Sequence, residues 1–274
     1  MNRTASSSSI SQYFNPTVAG TFEIIDCLAT ETEPVSVTEL AKSTRLTRGT
    51  ALRVMRTLTH IGIARGVEGA RYVAGPRLMS IGLRLNRSSA LGGIVRPYLE
   101  QLTELTGETS HFAIPSRDKS LIVEVCDCTN ALRVASRAGT EVWIHAAATG
   151  KVFLSSMPDQ TRREMCARLH YEKLTPNTLT SSQSLLKHLE QVNKKGFAVD
   201  DEEYILGVRC LAAPVFLNDD ETSLVGALGI TSATVRFTED RMPEFAKIVQ
   251  AIATDISRAL QSNSLTQPTE RSKK

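Results

Sequence analysis

The chain has 274 residues, 41% hydrophobic and 22% charged, a composition that suits a globular protein of one large domain or two smaller ones. Its longest apolar runs, such as Val225 to Ile230, fall far short of the roughly 18 residues a membrane helix needs, which excludes a helical membrane span. The formal charge of +3 hides an asymmetry: ten basic residues and one acid lie between Lys42 and Arg87, so that stretch carries +9 and the remainder −6.

The opening MNRTASSSSISQYF has one Arg and no apolar core, so residues 1–15 read as a Ser-rich disordered tail without a secretory signal. Phe22, Ile24, Ile25 and Leu28 then space a helix over Thr21 to Leu28. Ser36 stands three residues before Glu39, a capping box that opens a short helix ending near Ser43. Thr44 to Leu46 makes a tight turn, and Thr47 caps a third helix running to about His60, with Ala51, Leu52, Val54, Met55 and Leu58 available for packing. Strand-like pieces Ile63–Arg65 and Arg71–Ala74 flank a turn at Glu68-Gly69. Two helices about a tight turn, followed by a hairpin, form a winged helix-turn-helix. Thr47, Arg48, Gly49 and Thr50 open its recognition helix toward a major groove. Arg53, Arg56 and the hairpin residues Arg65 and Arg71 lie nearer phosphates. Arg is the side chain that forks onto phosphate and guanine; the plainer reading is a solvated basic face.

Pro76 to Asn86 carries apolar residues on more than one face, as a buried or dimer-forming helix does, and SSALGG reads as a hinge. The expected boundaries are therefore a DNA-binding domain over 16–75, a linker over 76–91 and a second domain over 92–262, with 263–274 a disordered tail. Within the second domain, helices are expected at Ile94–Thr106, Thr149–Met157, Asp159–Leu169, around Leu185–Val192 with Gly196 as stop, and from Thr238 to Leu260. Strands are expected at His111–Ile114, Leu121–Val125, Leu132–Ala135, Phe197–Asp200, Val208–Leu217 and Leu224–Thr231, the last two paired through an Asn218-Asp219-Asp220 turn. Adjacent strand pairs with grouped helices indicate an α+β domain on an antiparallel sheet.

Several segments together resemble the IclR family of bacterial transcription regulators. VSVTELAKSTRLTRGTALRVMRTLTHIGIA is similar to its helix-turn-helix, RYVAGPRLMSIG to its wing and linker, IHAAATGKVFLSS to a small-residue-Gly-Lys stretch, and GFAVDDEEYILGVRCLAAPVF to its most specific signature. Tyr72-Val73-Ala74-Gly75, Arg45 and Gly49 depart from the usual pattern. The resemblance implies a two-domain α/β protein: an N-terminal, largely all-α winged helix-turn-helix and a C-terminal α+β, GAF-like effector domain with a central antiparallel sheet. It also implies double-stranded operator DNA and a small organic acid as partners, a homodimer or homotetramer, and Asp200, Cys210 and Thr231 as pocket-lining positions.

The residues themselves say more about the pocket. Ala148, Thr149 and Gly150 open a helix whose free N–H groups suit a carboxylate, and Phe112, Val134 and Val208 are candidates for its apolar walls. Asp201 to Glu203 read as a solvated turn. Thr149-Gly150-Lys151 fails as a P-loop, because His145 stands at its first Gly and Val152 at its Ser/Thr. Cys126-Asp127-Cys128 lacks zinc-knuckle spacing, and His145 with Cys210 lacks an orienting third group, so no metal, cofactor or catalytic residue is expected. Five irregularly spaced cysteines (Cys27, Cys126, Cys128, Cys166, Cys210) point to a reducing cytoplasm. The reading is a ligand-controlled repressor of a catabolic operon, responsive to a small organic or aromatic acid. The alternatives are an activator of the same type, or a small-molecule-binding enzyme or sensor whose basic module serves assembly.

Overall fold

The computed structural model describes residues 14–88, 90–131, 133–217 and 223–266, with the side chains of 83–90 and 263–266 left aside. The chain divides into two compact units that part at 89/90. The expected Asn218-Asp219-Asp220 turn, most of both tails, Leu132, and the burial of Leu83 and Leu85 lie outside the described residues.

The first unit opens with α1 (Pro16–Thr30), which starts earlier than its apolar spacing suggests because Asn15 accepts the N–H groups of Thr17 and Val18 and Pro16 fills the first turn. A short strand β1 (Val35–Ser36) precedes α2 (Val37–Ser43). Both halves of the capping box form: Ser36 Oγ accepts from Glu39 N at 3.2 Å, and Ser36 N donates to Glu39 at 2.7 Å. After the turn comes α3 (Arg48–His60), then β2 (Ala64–Val67) and β3 (Arg71–Ala74). The strands form a three-stranded sheet in the order β1-β3-β2. Ile24, Leu28, Leu40, Ala51, Met55 and Leu58 make the core, whereas Leu52, expected to pack, is exposed. The helix α4 (Pro76–Ser88) lays Leu78 and Ile81 on this core and leaves Met79 exposed.

In the second unit, α5 (Ala90–Thr106) occupies the segment expected to be a hinge. Leu91 and Ile94 pack against the core there, which outweighs the roughly 1 kcal/mol that each glycine costs a helix. Strands β4 (Thr109–Ser116), β5 (Lys119–Cys126), β6 (Glu141–Trp143), β7 (Ala198–Asp201), β8 (Val208–Phe216) and β9 (Leu224–Ala233) form an antiparallel sheet in the order β6-β5-β4-β9-β8-β7 among the described residues. The strand expected at Leu132–Ala135 does not form: residues 133–138 carry no ladder, and Glu141–Trp143 pairs with β5 instead. The alternating Leu-Arg-Val-Ala pattern has the period of a strand, but its neighbour Gly139 turns at a φ of 88° and the chain crosses the sheet face.

Alternation along the strands separates two faces. Phe112, Leu211, Val215, Leu228 and Ile230 meet α5 and α9 (Met242–Thr266). On the other face, the small side chains of Ala113, Ala212 and Ala227 admit α6 (Ala148–Ser155), with α7 (Asp159–Arg168) and α8 (Ser182–Lys195) behind it. The last helix runs on to Thr266, past its expected end at Leu260. Among the described residues no helix is long and apolar enough to cross a membrane.

Gly150 is where α6 comes closest to its surroundings: a Cβ there would lie 2.3 Å from the backbone oxygen of Ile144. Gly150→Ala is therefore expected to lower the stability of the second unit by about 1–3 kcal/mol, as overpacking against unyielding backbone does. Urea unfolding followed by circular dichroism measures this; an unchanged midpoint contradicts it.

Candidate functional site

In the first unit, α3 buries Ala51, Val54, Met55 and Leu58 and turns Arg48, Gly49, Arg53 and Arg56 to solvent, with Thr50 half-buried. Thr47 is exposed, and its hydroxyl is engaged as the cap, accepting from Thr50 N at 3.3 Å. Arg53 donates to the Thr50 hydroxyl at 3.4 Å, which holds the guanidinium along the helix surface. The wing register opposes Arg65 to Val73 and Val67 to Arg71, so Arg65 and Arg71 share the face away from the core, where Tyr72 packs. Arg71, expected toward DNA, is also engaged within the unit. Its guanidinium donates to the Pro34 carbonyl at 2.5 Å and to Glu39 at 3.3 Å, fastening the wing to the capping box. Arg65 stays exposed.

In the second unit, a cavity of about 230 Å³ lies between the sheet and the start of α6. Asp200, Cys210 and Thr231 stand directly opposite one another across β7, β8 and β9, and so share the cavity face. Thr231 contacts Cys210 Sγ at 3.3 Å and His111 Nδ1 at 3.4 Å, extending the polar row to β4. Room for the His111 ring exists because residue 229 is Gly: a Cβ there would lie 2.8 Å from Nε2. Val134, Val208, Ala148 and Thr149 line the cavity as expected from the sequence. Phe112, expected as a wall, and Gly150, expected as an N–H donor, do not line it. Phe112 is fully buried in the core on the opposite face, since a shift of one residue along a strand reverses the side chain. Gly150 sits behind the wall against Ile144.

The structure adds residues that the sequence did not single out. Tyr204 and Ile205 close one side, and Arg137 and Thr140 another. Beneath them Lys151, fully buried, donates to Glu203 and, at 2.8 Å, to the Val199 carbonyl. Glu203 is therefore no part of a solvated turn: it is 5% exposed, and its second carboxylate oxygen has no partner among the described residues. The Gly-Lys spacing was the one signal for this pair, and its acidic partner lies 52 residues away.

Burial governs the charges here. It pushes Asp200 up to about 6, with nearby Lys151 pulling the other way, and Glu203 up to about 7, again opposed by Lys151. It pushes His111 down to about 4 and raises the Cys210 thiol, so neither an imidazolium nor a thiolate stands in the cavity at neutral pH. The N-cap of α6, Ala147, supplies no side-chain acceptor, and the Thr149 hydroxyl is engaged with Ser120 at 2.7 Å. What α6 offers the cavity is main-chain N–H, at the positive end of its dipole.

An acid whose pKa is raised by folding stabilises the fold below its unfolded pKa and loses that contribution as pH rises through the folded value. Asp200→Asn is expected to remove this loss. The variant should gain on the parent by roughly 1–3 kcal/mol between pH 4 and pH 7, most of it by pH 6. His111, with its opposite sign, is common to both chains and largely cancels in the difference. Urea titrations across that range measure the effect; parallel curves contradict it.

Comparison with known proteins follows both units. A family profile described as the bacterial transcriptional regulator IclR C-terminal domain matches residues 87–258, and one described as the IclR helix-turn-helix domain matches residues 17–68. The chain is 31% identical over 240 residues to the transcriptional repressor IclR of Escherichia coli K12, covering 86% of this chain and 87% of that protein. It is 30% identical over 237 residues to the HTH-type transcriptional regulator KdgR of the same organism, covering 86% and 89%. The crystal structure of the Thermotoga maritima IclR aligns with a TM-score of 0.68 at 28% identity, over 89% of this chain and 98% of that one.

Proposed function

This chain belongs to the IclR family of bacterial transcription regulators, and from that premise we propose how its two units work. As a member it is a ligand-responsive, DNA-binding regulator and not an enzyme. The reading taken here is a cytoplasmic repressor of a catabolic operon. The Thr47–Thr50 turn of α3 enters the major groove of operator DNA, while Arg53, Arg56 and Arg65 meet phosphates. A small acid in the cavity of the second unit, its carboxylate on the N–H groups of Ala148 and Thr149, controls that binding. Homodimers or homotetramers supply paired recognition helices for a roughly palindromic site.

The observation that carries the DNA-binding part is the unpartnered arginine face of α3: Arg48, Arg53 and Arg56 are exposed on one helix, and none is paired with a carboxylate among the described residues. A helix so placed after a capped turn presents charge that the fold itself does not use.

Fluorescence anisotropy with a duplex from upstream of the protein's own gene, run across a salt series, tests the reading. Arg53→Ala should weaken binding to all sequences and flatten the salt slope by about one ion. Thr50→Ala should instead relax base preference and leave non-specific binding intact. Absence of any sequence-selective, salt-dependent binding by the parent overturns the proposal.

A further inference from the structure

We propose that Glu39 is a positioning residue for DNA binding: through Arg71 it aims the wing, so an acid in the basic unit strengthens binding to a polyanion that it does not touch. The inference rests on reading Arg65 of the wing as a phosphate contact and goes beyond it by assigning what holds that contact in place.

Three observations meet at this carboxylate. The first is that it serves two partners. Glu39 Oε2 accepts from Ser36 N at 2.7 Å, which closes the capping box of α2. The same oxygen accepts from Arg71 Nη1 at 3.3 Å, and Oε1 accepts from Arg71 Nη2 at 3.4 Å. Arg71 Nη1 also donates to the Pro34 carbonyl at 2.5 Å. A guanidinium fork on a carboxylate fixes direction as well as distance.

The second is how little else holds the wing. Strands β2 and β3 are four residues each, and the ladder from β3 to β1 covers two. A two-stranded ribbon is marginal without packing on its faces. Tyr72 packs one face on the core. Arg71 fastens the other, directly after a tip that turns through Gly69 and Ala70 at φ of 76° and 56°.

The third is what the wing carries. Arg65 shares the outward face with Arg71, is exposed, and has no carboxylate partner among the described residues. Glu39 immediately precedes Leu40, which packs in one core with Ala51 and Met55 of α3. The fork therefore ties the strand pair bearing Arg65 to the helix against which the recognition helix is set.

Charge alone predicts the opposite sign, since losing an acid near DNA strengthens attraction to phosphate. The pair is 45% and 53% exposed, so it adds little to global stability, and its effect lies in the direction of the wing. Glu39→Gln separates the two duties, because Gln at this position still closes a capping box but carries no charge for the fork.

The test is fluorescence anisotropy of the full chain on a mixed-sequence duplex across a low-salt series, since phosphate contacts are shared by all sequences. Glu39→Gln should weaken binding by about three- to fivefold, the upper end for a half-exposed ion pair, although the chain gains a positive charge. It should also flatten the salt slope by about one ion, as Arg65→Gln does. The double variant should lose no more than either single one, because both remove the same contact. Glu33→Gln, an exposed acid outside the fork, should bind as tightly as the parent or slightly tighter. Urea unfolding checks that Glu39→Gln is folded; a chain that is only less stable keeps the parent's salt slope. Should it not fold, Arg71→Gln removes the fork from the other side and takes its place in the same comparison. Binding by the folded variant equal to or tighter than the parent, an unchanged slope, or losses that add in the double variant overturns the inference. Where Arg65→Gln weakens binding and Glu39→Gln does not, this inference fails alone. Where Arg65→Gln binds like the parent, the wing contact of the underlying reading fails with it.

Discussion

A single buried ion pair positions much of the second unit. Lys151 projects from α6, is fully buried, and reaches both the Val199 carbonyl of β7 and the Glu203 carboxylate in the loop that follows it. An ammonium and a carboxylate removed from water each incur several kcal/mol of lost solvation, so the pair persists only with close partners on both sides. The consequence is geometric. Lys151 is three residues after Ala148, and Glu203 is adjacent to Tyr204, so the same bond sets the helix end and the loop that face each other across the cavity. Thr175 and Thr178 accept this arrangement and extend it, donating to the backbone carbonyls of Glu202 and Glu203 at 2.7 and 2.6 Å. Loss of either charged partner would leave the other buried and unmatched, which costs more than the pair itself contributes.

Around that pair, the size of side chains decides where space remains. The sheet presents large residues to α5 and α9 and small ones, including Ala113, Ala212 and Ala227, to α6. The helix therefore approaches closely over its own length, with Gly150 against the Ile144 backbone. Beyond its first turn the polar row of Asp200, Cys210, Thr231 and His111 is left facing a small, partly open cavity. Burial keeps the His111 imidazole and the Cys210 thiol uncharged at neutral pH and raises Asp200 to about 6, which leaves it the one charged member of the row.

The first unit separates its structural from its available charge in a comparable way. Glu39 serves the capping box and also holds Arg71, so one carboxylate joins α2 to the wing. With Arg71 engaged, the exposed arginines without a carboxylate partner among the described residues include those on α3, Arg45 in the turn before it, and Arg65 on the wing. Thr47 contributes its hydroxyl to the helix start, which fixes the direction in which Arg48 and Gly49 leave the turn.

Much of this was legible in the sequence because the forces involved act over a few residues. Ser36 with Glu39, Thr47 before α3 and Gly196 after α8 mark helix ends through bonds within one turn, and they stand where the sequence reading puts them. Periodicity located most strands, and the polar Asn218-Asp219-Asp220 sequence between the last two pointed to the β8–β9 pairing. Other features depended on register and on distant partners. Whether Phe112 or His111 faces the cavity is settled by the pairing of Thr109 with Thr231, over a hundred residues away along the chain, and no local pattern encodes it. The pairing of Lys151 with Glu203 spans 52 residues. Leu132–Ala135 reads as a strand because alternation has the same period whether or not a partner strand is present, and only the packed sheet shows that β6 takes that edge. The sequence by itself determined the helix ends, the two-unit plan and the basic face, since caps, amphipathic spacing and charge density are properties of neighbouring residues. The tertiary structure decided which side chains share the cavity, because a cavity wall is assembled from strands whose register and facing direction are set by the packing of the whole sheet.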